Sequence, residues 1–77
     1  MYKSEFEATL NGNKILQKYR DLLYRLSNDS TMCVGYEHDG IFYIMECCDD
    51  YFYHDLTKDE CLELSELFKE IAEAIGT

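Results

Sequence analysis

Seventy-seven residues, 47% of them apolar, make a single small domain, close to the size below which one core no longer holds a fold without staples; a 14% aromatic content argues against disorder. The formal net charge of −9 is concentrated in one part of the chain: residues 1–31 carry five Lys/Arg against four Asp/Glu, residues 32–77 two against twelve. So acidic a segment repels nucleic acid and anionic membranes and attracts basic surfaces, which excludes a direct nucleic-acid binder.

The opening residues, Met1-Tyr2-Lys3-Ser4-Glu5, lack the apolar run of a signal peptide, and no later segment approaches a membrane span. The expectation is a cytoplasmic protein whose Cys33, Cys47, Cys48 and Cys61 stay reduced. Tyr2, Ser4, Phe6, Ala8 and Leu10 alternate with polar residues, as a strand does, yet Ser4 with Glu7 also forms a capping box for a short helix. A fourth strand needs an open sheet edge to dock on, which tilts the reading toward the helix.

Asn11-Gly12 breaks the chain, and Asn13 can cap a helix running to about Ser27. Ile15, Leu16, Tyr19, Leu22, Leu23 and Leu26 share its broad apolar stripe, with Lys14, Lys18 and Arg25 opposite. These cations either pair with acids elsewhere in the fold or stand in solvent.

The middle of the chain reads as a three-stranded antiparallel meander. Asp39-Gly40 is a two-residue type I′ hairpin signal, which pairs Tyr36 with Tyr43 and Val34 with Met45. A second turn at Asp49-Asp50 pairs Cys47 with Phe52 and Met45 with His54. The core face is then Met32, Val34, Tyr36, Ile41, Tyr43, Met45, Cys47, Phe52 and Leu56. The opposite face mixes Phe42, Ile44, Tyr51 and Tyr53 with Glu37, Glu46 and Asp55, a pattern that fits either a binding surface or a surface covered by another element.

Thr57-Lys58-Asp59-Glu60 is a capping box that starts a second long helix, with Gly76 as its stop. Cys61, Leu64, Leu67, Phe68, Ile71 and Ile75 form its buried stripe. Glu63, Glu66, Glu70 and Glu73 form a row on another face, roughly 15 Å long at a rise of about 1.5 Å per residue. Successive carboxylates spaced roughly 5 to 6 Å apart resemble phosphates along one nucleic-acid strand. An exposed Glu-rich face is also what an ordinary solvated helix presents.

Catalytic signals are weak. The Cys and His spacing does not match a structural zinc site, and Cys48 lies beside Asp49 and Asp50, a poor setting for a thiolate. His54 falls on the apolar face, where a hydrogen-bonded core histidine is the simpler reading, and Asp49-Asp50 is better explained as a turn than as an acid–base pair. No glycine-rich phosphate loop occurs. The expectation is a protein without catalysis, metal or cofactor.

In size, acidity and lack of a catalytic motif, the chain resembles small phage-encoded anti-defence proteins, including anti-CRISPR proteins and DNA-mimic inhibitors. The resemblance covers the general character of the whole chain and carries over no functional residues. It implies a CRISPR effector or another nuclease of the host cytoplasm as target, with acidic residues facing a Lys/Arg groove. The near-neutral first helix departs from a pure DNA mimic and points to an acidic patch on one side only.

The sequence reading is thus an α+β domain, a three-stranded antiparallel meander packed against two helices. Its candidate partner-binding residues are Glu37, Glu46, Asp49, Asp50, Tyr51, Tyr53, Asp55, Glu63, Glu66, Glu70 and Glu73, and its partner is a basic, nucleic-acid-binding protein. The other reading is an assembly module that dimerises through the Tyr-rich sheet face, its acidity serving solubility.

Overall fold

The computed structural model describes residues 3–29, 32–46 and 55–76. Within them run helices α1 (Lys3–Leu10), α2 (Lys14–Lys18) and α3 (Arg20–Asp29), strands β1 (Met32–Tyr36) and β2 (Phe42–Glu46), and helix α4 (Lys58–Ile75). β1 packs against α1 and α3, while α2 packs against α3 and α4. This corrects the expected three-stranded meander with two helices: the described residues hold four helices and a two-stranded antiparallel sheet.

The short helix favoured for the first residues is α1, and the second expected helix is divided into α2 and α3. α1 ends where Asn11 and Gly12 both take positive φ, 52° and 69°, a conformation that Asn and Gly tolerate best. Asn13 then starts α2, its Oδ1 accepting from the backbone N–H groups of Ile15 and Leu16 at 3.0 and 3.1 Å. The expected single helix over 13–27 is interrupted at Tyr19 (φ −106°, ψ 23°), although neither Pro nor Gly stands there. The interruption falls between side chains drawn to different partners: Lys18 and Tyr19 reach Glu70 on α4, and Arg20 reaches Glu7 on α1.

The hairpin forms the expected turn in a different register. Asp39 and Gly40 both have positive φ, 53° and 80°, and the Ile41 N–H donates to the His38 carbonyl at 3.0 Å, as a type I′ turn requires. The Glu37 N–H, however, also donates to the Ile41 carbonyl at 2.9 Å, so Glu37 and His38 together stand opposite Ile41. This one-residue bulge pairs Tyr36 with Phe42 and Val34 with Ile44, one position away from the expected pairing. A slip of one residue exchanges the faces of a whole strand. Phe42 and Ile44 therefore share the Val34 face, while Tyr43, expected there, stands opposite Gly35 on the other.

Asn11 braces the bulge from outside, its Nδ2 donating to the carbonyls of Tyr36 and Glu37 at 3.1 and 2.5 Å. Gly35 has its own requirement: a Cβ there would lie 2.4 Å from Cζ of Tyr43, so only glycine admits the ring.

The third strand and its Asp49-Asp50 turn were expected mainly over residues that lie outside those described. Asp55 and Leu56, at its far end, are not strand but lead into α4, and Leu56, expected in the core, is exposed.

One apolar cluster joins Phe6 and Leu10 of α1, Leu16 of α2, Leu23 of α3, Val34 of β1, and Leu67 and Ile71 of α4. Because α1 is separate from α2, Phe6 and Leu10 turn inward rather than onto a polar face. Thr57 caps α4 as expected, its hydroxyl accepting from the Glu60 N–H at 3.1 Å while the Glu60 carboxylate accepts from the Thr57 N–H at 3.0 Å. The buried stripe of α4 is narrower than its periodicity promised: Cys61, Phe68 and Ile75 are exposed, as is Ile41 of the hairpin. No helix among the described residues is long and apolar enough to cross a membrane.

Candidate protein-binding surfaces

The outer parts of α4 present two surfaces of opposite character. Leu67 and Ile71 face the core and define its buried seam. At about 100° per residue, Glu63, Glu66, Glu70 and Glu73 fall on one side of that seam, and Phe68 and Ile75 on the other. The acidic side faces α2, and the apolar side faces the sheet.

On the acidic side, Glu66, Glu70 and Glu73 line a shallow hollow of about 390 Å³ with Lys18, Tyr19 and Lys69. Glu63 lines a neighbouring one, of about 380 Å³, with Gln17 to Leu22 of α2 and α3. Glu70 is tied down: Oε1 accepts from Lys18 Nζ at 2.7 Å and Oε2 accepts from the Tyr19 hydroxyl. These bonds, Lys18 first and Tyr19 second, hold the Glu70 carboxyl below the usual carboxylate range. The reciprocal effect pushes the Tyr19 phenol up to about 12, through its bond to Glu70 first, then burial, then the negative fields of Glu70, Glu66 and Glu63. Three members of the row thus act on one phenol, and Glu70 serves as its inner anchor.

The basic residues of the first part of the chain are partly absorbed by acids. Besides Lys18 with Glu70, Arg20 pairs with Glu7, and Arg25 Nε lies 3.6 Å from Oε2 of the buried Glu60. Lys69, on α4 itself, stands in the same hollow as the row and interrupts its charge.

Of the other candidate residues, Glu37 is exposed at the hairpin end of β1 and Asp55 is exposed ahead of α4. Glu46 ends β2, opposite Met32. Asp49, Asp50, Tyr51 and Tyr53 lie outside the described residues. The structure therefore brings together the four acids of α4 but does not join Glu37 and Asp55 to their hollows. Lys18 and Tyr19 were missed as part of the site. Lys18 stood among the cations opposite the apolar stripe, but no local signal paired it or Tyr19 with Glu70, about fifty positions away.

On the other side of α4, Phe68, Ile71 and Ile75 line an apolar groove of about 340 Å³ with Val34, Phe42 and Ile44. Only the bulged register places Phe42 and Ile44 there. Among the described residues no three His, Cys, Asp or Glu side chains form a group able to hold a metal ion. The chain matches no family model, no curated protein and no solved structure.

Proposed function

We propose that this protein acts without catalysis, binding a basic surface of a nucleic-acid-binding protein, such as a CRISPR effector or another nuclease, and blocking it. The row on α4 is the observation that carries this reading. Glu63, Glu66 and Glu73 repeat along one side of an 18-residue helix whose cap fixes its start, and Glu70 anchors that side to α2. A capped helix presenting carboxylates at fixed backbone spacing loses little backbone freedom on docking, which favours affinity. Lys18 and Lys69 beside the row make it a patch of mixed charge rather than a continuous imitation of a phosphate backbone. The tyrosines of the sheet face on which a dimerisation reading rests, Tyr51 and Tyr53, lie outside the described residues, so no observation favours that reading over the acidic row.

The test is an affinity capture from nuclease-treated lysate at low and moderate salt, with wild type and with Glu63→Lys, Glu66→Lys and Glu73→Lys combined. Glu70 is left in place because it holds α2 to α4. Capture of a nucleic-acid-binding protein by wild type, lost in the variant and weakened by salt, supports the proposal. Equal capture by both chains at both salt concentrations rejects it.

A further inference from the structure

The apolar groove between α4 and the sheet lies away from the acidic row, and three of its side chains are open to solvent: Ile44 is 61% exposed, Phe68 41% and Ile75 55%. A β-branched or aromatic side chain left this open at the mouth of a groove gains only part of its burial free energy on folding and has more to gain on binding.

Two observations narrow what occupies it. The exposed parts of Ile44, Phe68 and Ile75 amount to roughly 300 Å², taking ~150–250 Å² for a large side chain, which falls short of the ~800 Å² that each partner buries in a standard interface. A second copy docked through this groove alone would bury too little, and would also bring two chains of net charge −9 together. The volume of about 340 Å³ is at the lower end of the ~300–1,000 Å³ of binding clefts, enough for a few apolar side chains on a short segment. The overall negative charge favours cations beside those side chains.

We infer that the groove receives a short amphipathic segment of the partner, its apolar residues seated between Ile44, Phe68 and Ile75 and flanked by Lys or Arg. This rests on the reading that the partner is basic, and adds a second contact on the opposite side of α4 from the row. An apolar anchor supplies what the row lacks: mixed charges steer encounter, and buried apolar groups slow release.

The experiment is a two-dimensional amide NMR titration of the whole chain with a 15-residue peptide carrying Leu at helical spacing on one face and Lys elsewhere. Its controls are an isomer with the same leucines dispersed around the helix and a version with Gln in place of Lys. The inference predicts saturable shifts centred on Val34, Ile44, Phe68 and Ile75, with weaker binding of both controls. Combining Ile44→Ser with Phe68→Ser should weaken binding by at least about tenfold. Both side chains are exposed, and the spectrum of the variant shows directly whether it is folded.

Equal binding of the dispersed isomer, or shifts centred on Glu63, Glu66 and Glu73, would overturn the groove as the docking site. Equal binding of the Gln version would overturn its basic flanks. A concentration-dependent dimer of the wild type, abolished by the double variant, would assign the groove to a second copy and overturn the inference too. Reversal of the acidic row leaves the groove intact, so failure of the capture experiment and failure of this titration are read separately.

Discussion

Tyr19 donates its phenolic hydrogen to Oε2 of Glu70, while Lys18 Nζ holds Oε1 of the same carboxylate at 2.7 Å. Tyr19 is also the residue at which the helical run between Asn13 and Asp29 is interrupted. The one contact thus couples a backbone break to the acidic side of α4. It also gives the fold two pH limits of opposite sign. Glu70 has a lowered pKa when folded, so its contribution is present above the ordinary carboxylate range and is lost as pH falls through the folded value. Tyr19 has a raised one, so its contribution is complete below 10.0 and is lost as pH rises toward about 12. In Tyr19→Phe the alkaline loss between those values should shrink, and the Glu70 carboxyl should move part of the way back up, the stronger Lys18 bond remaining. Side-chain NMR titration of Glu70 and thermal melts across the alkaline range measure both; an unchanged Glu70 titration would show that the contact is absent in solution.

Asn11 serves the fold in two separable ways, through its positive φ and through the hydrogen bonds of its amide to Tyr36 and Glu37. Asn11→Gly keeps the conformation and removes the bonds, and should cost about 0.5–1.5 kcal/mol for the lost bonding. Asn11→Ala adds the left-handed penalty of a residue with Cβ, about 1–2 kcal/mol more. Denaturant unfolding of the two variants separates these costs. Equal stability of Gly and Ala variants would contradict the positive φ.

Gly35 and Tyr43 test the hairpin register. Gly35→Ala places a methyl group within the Tyr43 ring, and the ring must swing away, at a cost of about 1–2 kcal/mol. In a Tyr43→Ala background the same change should become neutral or stabilising, because Ala is the better strand residue. A double-mutant cycle by denaturant unfolding reads this coupling. Additive effects would place Tyr43 on the other face, as the bulge-free register requires.

That hairpin shows how far local sequence signals reach. Asp39-Gly40 specified the turn, and the turn is there; the extra residue opposite Ile41 carries no local mark, because its cause is tertiary. Asn11, 25 and 26 positions away from the carbonyls it binds, braces the bulge. From that single residue followed the exchange of Tyr43 for Phe42 and Ile44 on the core-side face, and with it the apolar groove. The Thr57 capping box and Gly76 marked the ends of α4 correctly because caps are satisfied within one helical turn. Its acidic row was legible for the same reason of periodicity. The engagement of Glu70 was not, since Lys18 and Tyr19 lie about fifty positions away in the chain. The interruption at Tyr19 had no Gly or Pro to announce it.

Under the proposed function, the acidic side of α4 occupies a surface on which its partner binds nucleic acid. The direct measurement is competition: the captured complex is challenged with a short nucleic-acid duplex at constant ionic strength, and the fraction of partner released is followed against duplex concentration. Release should saturate with duplex and should need less duplex when Glu63, Glu66 and Glu73 are changed to Gln. Retention of the partner at saturating duplex, with both bound together, would contradict it.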